Sequence, residues 1–393
     1  MKVCFETFGC RLNKAEALSM EAAYLEKGWE LTSCHADADL FVVRGCSVTA
    51  RAQRDCEKLI EHLRRAYPAT PLRVCGCLSQ KKSSAAAQNA VYAAEAETTA
   101  SAVPTRTAKA YLKVQDGCSC ACTFCIVPQF RGASVSAPFA EVVDRARRFV
   151  DAGYHEIDVT GCNLAQYASD GRRLPDLVSA LAEAVGPDCR LRLGSVEPGP
   201  CALETVAAMT ERANVCRFLH IPVQSGSNRI LKAMRRPYQV SDVEALVAEA
   251  VKRIPGLGLG CDVMTGFPDE GSGDFIATKG LLRRLPFNLA HVFPYSERPG
   301  TPAAAFGGAV PKPVRSSRAH DLARLVREKR QAFARRFLGR DVEVVAERET
   351  KTEGWTSEYL RCSSVMPVPR KSKILIHVTK IAGDALEGRV RLA

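Results

Sequence analysis

The stretch Gln115-Asp116-Gly117-Cys118-Ser119-Cys120-Ala121-Cys122-Thr123-Phe124-Cys125-Ile126-Val127-Pro128 decides how the chain is read. It begins at the end of an apolar segment, Ala110–Gln115, with the character of a strand. Cys118, Cys122 and Cys125 stand in a C-x3-C-x2-C spacing. Three soft thiolates on one short loop suit an iron–sulfur cubane with its fourth iron left open, or a zinc site. Structural zinc wants four ligands, and Cys120 is the remaining thiol of the loop. Alternation at 118, 120 and 122 makes that zinc geometry awkward.

Working outward, the chain downstream keeps a regular rhythm. Strands are predicted at Glu156–Thr160, Arg190–Ser195, Phe218–Val223, Gly258–Met264 and Ala290–Pro294. Helices are predicted between them at Phe139–Ala152, Leu174–Val185, Leu203–Glu211, Val240–Arg253 and Gly273–Arg284. Six strands alternating with helices give a parallel α/β sheet with right-handed crossovers, closing as a partial (β/α)6 TIM-like barrel. Its ligand site is expected at the carboxyl ends of the strands.

Upstream, residues 1–82 read as a small parallel α/β unit. It has strands Lys2–Phe8, Leu40–Arg44 and Leu72–Cys75, and helices Lys14–Lys27 and Thr49–Tyr67. Residues 83–109, rich in Ala, Ser and Thr, read as a linker with at most one weak helix. Downstream, a strongly basic helix over 315–338 completes a 110–338 domain. Short strand patterns at Val342–Ala346, Trp355–Leu360, Ile374–Thr379 and Leu386–Arg391 make 339–393 a small antiparallel β-barrel.

Three more cysteines each follow a glycine at the end of an apolar strand: Gly9-Cys10, Gly45-Cys46 and Gly76-Cys77. Parallel strands would present these Gly-Cys turns on one edge, where glycine lets the backbone approach a cluster closely. Three unrelated buried thiols are the alternative. Cys75 lies two residues from Cys77, so the strand pattern alone barely separates them.

The 393 residues include 17 Cys, an odd number that excludes a fully paired disulfide set. Net charge is +12, which favours a polyanionic partner. No apolar run approaches the ~18 residues of a membrane span. Glu6 and Arg11 come too early for a signal peptide, so a cytoplasmic protein away from membranes is expected.

Taken in order, these features resemble the radical S-adenosylmethionine methylthiotransferases over nearly the whole chain. Further stretches carry the likeness: His220-Ile-Pro-Val-Gln224-Ser-Gly226 through Arg236-Pro237-Tyr238, Asp262-Val-Met-Thr-Gly266-Phe267-Pro268, and His291 through Thr301. Gly76-Cys77-Leu-Ser-Gln80 matches the family's Gly-Cys-x-x-Gln and selects Cys77 over Cys75. The resemblance implies an N-terminal cluster domain, a radical domain and a C-terminal TRAM barrel. It implies two 4Fe-4S clusters, on Cys10, Cys46 and Cys77 and on Cys118, Cys122 and Cys125, with S-adenosylmethionine at the second. Phe124 would then pack near the cofactor's adenine, or cover the core as an ordinary loop aromatic.

Gln115-Asp116-Gly117, Val159 through Leu164, Leu193 through Pro198, and Gly354-Trp355-Thr356 are most similar to the branch acting on N6-threonylcarbamoyladenosine in tRNA. The implied reaction places a methylthio group on carbon two of that base, beside the anticodon. One S-adenosylmethionine methylates a sulfur held at the first cluster. A second is cleaved to a radical that takes the ring hydrogen, a C–H too weakly acidic for side-chain bases. An external one-electron reductant is implied, and a monomer is expected. Modification of isopentenyladenosine in tRNA or of a ribosomal protein is the alternative within the family. A non-catalytic zinc-containing RNA-binding protein is the alternative outside it. The family's Arg-Gly-x-x-Arg-Ser-Arg-Pro stands here as Arg131-Gly132-Ala-Ser-Val135-Ser136-Ala137-Pro138, without two basic residues.

Thr160, Gly161, Asn163, Ser195, Glu197 and Gln224 fall at predicted strand ends, as candidates for polar contacts to the cofactor or as partners of loop backbone. Trp355, Tyr359 and Arg361, read as one strand with a common face, form a candidate RNA stacking platform. The basic helix is a candidate phosphate surface or a solvated face.

Overall fold

The computed structural model describes residues 1–47, 50–78, 91–92 and 106–391. Gln80 and most of the expected linker lie outside the described residues. The first domain is a parallel sheet in the order Glu30–Thr32, Lys2–Thr7, Leu40–Gly45, Leu72–Gly76, Val91–Tyr92. Its strands read as continuous apolar runs because both faces are covered. Cys4, Phe41, Val43 and Val74 pack on one side, and Val3, Phe5, Val42 and Cys75 on the other. Helices Arg11–Glu26 and Ala50–Ala66 connect the strands. The sheet extends past residue 82: Val91 and Tyr92 pair with Arg73 and Val74 inside the segment read as linker. Val91 and Tyr92 are a β-branched and an aromatic residue in an alanine-rich stretch, types that favour a strand.

The second domain carries six parallel strands, Ala110–Lys113, Glu156–Thr160, Arg190–Leu193, Phe218–Gln224, Gly258–Thr265 and Leu289–Pro294. They form two three-stranded sheets joined by the bridges Leu191–Val215 and Ser195–His220. Leu112, Ile157, Val159, Leu191, Ile221 and Val263 share one core with helix residues such as Val142, Leu177, Leu181 and Leu246. This is the expected partial barrel. The third helix starts at Pro200 rather than Leu203, since proline in a first turn loses no hydrogen bond.

The basic helix runs over Lys312–Arg335. Leu322 and Val326 enter the barrel core, whereas Phe333 and Ala334 enter the core of the third domain. It is therefore a packing tie between domains as well as a charged surface. Arg315 donates to the carbonyls of Val310 and Tyr295, Arg318 pairs with Glu270, and Lys329 donates to carbonyls in Leu282–Leu285. Those charges face inward.

The third domain is a five-stranded sheet in the order Asp341–Val345, Lys373–Ala382, Ala385–Arg391, Arg361–Ser364, Thr352–Trp355. It is not wholly antiparallel, because Cys362 and Ser363 pair in parallel with Leu386 and Glu387. Nor do Trp355, Tyr359 and Arg361 share a strand. Trp355 ends one strand, Arg361 begins the next, and the two pair across a hairpin. Tyr359 sits in the turn with φ 65°, held by Tyr359 N–H to Thr356. Its ring stacks between Trp355 at 4.5 Å and Phe218 of the barrel at 4.6 Å. The turn reverses the chain where alternation assumed it stayed extended.

A buried ionic network fixes this docking. Glu156 is fully buried and accepts from Arg190 at 2.8 Å and Arg192 at 2.9 Å, with Lys109 at 3.2 Å. The same arginines donate onward to Glu343 O at 3.0 Å and Thr356 O at 2.9 Å in the third domain. Burial alone would raise the Glu156 carboxyl, but the charges of Arg190, Arg192 and Lys109 hold it well below the ordinary range. Removing one member strands buried charge. Glu156→Ala is expected to cost about 3–5 kcal/mol, seen as a lower thermal midpoint, with Glu156→Asp intermediate; an unchanged midpoint would contradict this account.

Candidate active site

The three Gly-Cys turns of the first domain lie on one edge of its sheet. Cys10 precedes helix Arg11–Glu26 and is exposed, whereas Cys46 and Cys77 are each 4% exposed. Gly9 has φ +100°, and a Cβ there would lie 2.8 Å from Cys46 Sγ. Gly76 has φ +79°, and a Cβ there would lie 2.8 Å from Gly45 O. Only glycine allows both the left-handed turn and this approach. The kink at Gly76 separates the two doubtful thiols. Cys75 points into the apolar core beside Val3 and Val42, whereas Cys77 faces the second domain and accepts from Arg131 at 3.4 Å.

The second thiol group sits on the loop after strand Ala110–Lys113. Gln115 ties this loop down: its Nε2 donates to Asp116 O and Gly117 O at 2.7 Å, and its Oε1 accepts from Asn163 N at 2.9 Å. Thr123 N–H donates to Met234 O at 3.1 Å, fixing the far side. Arg236 donates to Cys122 Sγ at 3.1 Å and pairs with Glu197. The Cys120 thiol shifts the proton balance of its neighbours. It bonds Cys118 and Cys122, holding Cys118 down to about 6 and Cys122 to about 7, while Cys120 itself is raised. Burial pushes the Cys125 thiol up to about 11.

The loop is not a strand, so the alternation expected at 118, 120 and 122 does not set the thiol positions. Cys120 Sγ also lies 3.5 Å from Glu197 Oε2 and accepts from Gln166 at 3.2 Å. Every described cysteine is a free thiol. Cys118, Cys122 and Cys125 have the donor chemistry for an iron–sulfur cluster, with low-lying thiols at two of the three positions. Cys10, Cys46 and Cys77 repeat that set at an interdomain edge.

Arg131 links the two sets. Its guanidinium donates to Asn13 Oδ1 at 2.8 Å, Glu16 at 2.9 and 3.0 Å, and Asp116 at 2.9 Å, besides Cys77. The neighbouring Gly132 O accepts from Cys118 N–H at 3.1 Å. Burial would raise Glu16, yet Arg131, Arg44 and Lys113 hold it at about 2. Asp116, also opposed by burial, is held at about 2 by Arg131 and Lys113. Arg298 makes a second link, donating to Ser47 O and to Gln53 at 3.0 Å, while Gly300 O accepts from Gln129 at 2.6 Å. Sequence reading missed Arg131, Glu16, Arg236 and Arg298. Arg131, Arg236 and Arg298 were visible only as parts of quoted motifs, and nothing local indicated their partners.

Of the strand-end candidates, Asn163 and Glu197 are brought together at 2.9 Å beside the cysteine loop. Gly161 packs on Gln115, and Thr160 O accepts from Val114 N–H at 3.0 Å. Ser195 lies instead against His220 Nδ1, at 2.9 Å. Gln224 ends its strand in a left-handed conformation, φ 62°, a strain typical of functional loops. Phe124 packs against the apolar cluster of Ile230, Met234, Phe267 and Tyr295.

Comparison with known proteins bears on this arrangement. Residues 2–95 match the uncharacterized protein family UPF0004, and residues 112–282 match the radical SAM superfamily. The threonylcarbamoyladenosine tRNA methylthiotransferase MtaB of Bacillus subtilis is 30% identical, covering 91% of this chain and 89% of that protein. The tRNA-2-methylthio-N(6)-dimethylallyladenosine synthase of Sphingopyxis alaskensis is 31% identical, covering 89% and 87%. Among solved structures, the radical S-adenosylmethionine methyltransferase TsrM of Kitasatospora setae superposes with a TM-score of 0.55 at 15% identity, over 77% of this chain and 75% of that one.

The Arg131 contacts predict an acid limit. Carboxyls held at about 2 stabilise domain docking fully above their ordinary range of about 4 and lose that contribution as pH falls toward 2. Arg131→Met should move the acid-induced loss of hydrogen-exchange protection in helix Arg11–Glu26 to higher pH; the same acid midpoint in both proteins would refute the coupling.

Proposed function

The chain belongs to the radical S-adenosylmethionine methylthiotransferases, and we propose that it adds a methylthio group to carbon two of N6-threonylcarbamoyladenosine beside the anticodon of a tRNA. The observation that carries this reading is that Arg131 bonds Cys77 of one three-cysteine group and Asp116 at the root of the loop bearing the other, while its neighbour Gly132 accepts from Cys118 N–H. Cys118, Cys122 and Cys125 would hold the 4Fe-4S cluster that works with S-adenosylmethionine, and Cys10, Cys46 and Cys77 a second one. When bound, the first of these with its cofactor supplies reductive cleavage to a carbon radical able to take hydrogen from the adenine ring.

The chain's own residues do the rest. Gln115, Thr123 and Arg236 hold the loop from three sides, and Asn163 and Glu197 offer polar atoms beside it for the cofactor's amino and carboxylate groups. Arg131 and Arg298 keep the first domain's edge against the barrel mouth, so that a held sulfur and the reacting carbon share one enclosed place.

The threonylcarbamoyl assignment is supported by the polar character of the barrel interior. His220, Asp262 and His291 stand together on three neighbouring barrel strands. Such groups suit a substituent bearing a carboxylate and a hydroxyl better than an apolar dimethylallyl group. The exposed part of the basic helix and the third domain offer positive charge for the tRNA backbone. Trp355 remains a candidate for base stacking at the hairpin edge, although Tyr359 is committed to Phe218. A cytoplasmic location and an external one-electron reductant belong to the same proposal.

Nucleoside mass spectrometry of tRNA from cells lacking the gene tests it: the methylthio derivative of threonylcarbamoyladenosine should vanish. Loss of methylthio-dimethylallyladenosine instead would reassign the substrate. Anaerobically reconstituted protein should hold about eight irons per chain, falling to about four in Cys77→Ala, which should still cleave S-adenosylmethionine without forming product. Product formation by Cys77→Ala would remove Cys77 from the ligand set.

A further inference from the structure

Three neighbouring parallel strands bring His220, Asp262 and His291 together inside the barrel. Asp262 is in register with His291, and His220 lies opposite Gly260, two residues before Asp262. One donor atom of each lies within 4.8 Å of the other two. Gly260 permits the arrangement, since a Cβ there would meet the His220 ring at 2.6 Å.

The hydrogen bonding of His220 is specific. Its Nδ1 lies 2.9 Å from Ser195 Oγ. Its Nε2 is enclosed and has no hydrogen-bond partner, in a residue only 8% exposed. Asp262 Oδ1 stands 3.7 Å from the imidazole Nε2, too far for a hydrogen bond. That spacing is close to the ~3.4 Å between two ligands of a tetrahedral ion whose bonds are about 2.0–2.1 Å long. One imidazole nitrogen oriented by a hydroxyl and the other left free is the usual state of a metal-binding histidine.

We propose that His220, Asp262 and His291 form a zinc-class divalent-cation site, distinct from the cysteine groups, with Ser195 positioning His220. Two imidazoles and one carboxylate are a common ligand set for such ions, leaving a fourth position for water or a substrate oxygen. His291 is exposed and provides the way in. The cations that act on these groups are Arg11, Arg236 and Arg330, and each has a partner of its own: Arg11 donates to the Tyr359 hydroxyl at 2.7 Å, Arg236 pairs with Glu197, and Arg330 pairs with Asp384 at 3.0 Å. The proposal does not depend on which nucleoside is modified.

The test uses protein with its iron–sulfur clusters loaded, so that the cluster cysteines are not free for zinc. Zinc titration should give one tightly bound ion per chain. Zinc-edge X-ray absorption should show nitrogen and oxygen neighbours at about 2.0–2.1 Å, without sulfur at about 2.3 Å. His291→Gln, at an exposed position, and Asp262→Asn should each weaken zinc binding by at least ~10-fold. No bound zinc, sulfur in the coordination shell, or wild-type affinity in both variants would overturn the assignment.

Discussion

The Arg131–Glu16 ion pair is the contact on which the arrangement of this molecule depends. Both side chains are less than 10% exposed, and the pair adds a partner from across the boundary to the one each already has in its own domain, Arg44 for Glu16 and Asp116 for Arg131. A guanidinium or carboxylate left unpaired at such a depth is costly, so the pair stabilises one docking geometry against its alternatives. Arg44 and Lys113 approach the same carboxylate, and Asp116 approaches the same guanidinium. A charge cluster of this kind has directional hydrogen bonds at most of its atoms, which an apolar patch of equal area would not supply.

Glu156 repeats the device at the other end of the barrel. There the carboxylate lies in the second domain, and its arginines pass their remaining N–H groups to backbone carbonyls of the third. Tyr359 completes the contact by stacking on Phe218 and accepting from Arg11 of the first domain. All three domains therefore meet around the barrel strands. The consequence for the proposed chemistry is positional. A sulfur and a radical delivered from different domains can meet productively only if those domains hold a fixed relation, and buried charge pairs supply it.

Much of this was legible locally. The cysteine loop, the six-strand rhythm and the Gly-Cys turns rest on spacing and periodicity within short windows, and the structure places them where those patterns indicated. The less legible features share one property. Cys75 and Cys77 looked equivalent on an extended strand, and only the left-handed turn at Gly76 divides core from interface. Trp355, Tyr359 and Arg361 looked coplanar by alternation, which fails where the chain folds into a hairpin. Cys120 looked awkward as a fourth ligand by an alternation that its loop does not follow.

The sequence by itself determined the strand–helix rhythm of the barrel, the three-cysteine spacing of its first loop and the family, because each depends on residues close together in the chain. Tertiary structure alone decided which charges are internal and which thiols face a neighbouring domain. Arg131 and Glu16 are separated by 115 residues, and Arg11 and Tyr359 by 348. No local pattern encodes such a pairing. An arginine on a helix carries the same local signal whether it meets water, a phosphate or a buried carboxylate, and only desolvation in the folded chain selects among them.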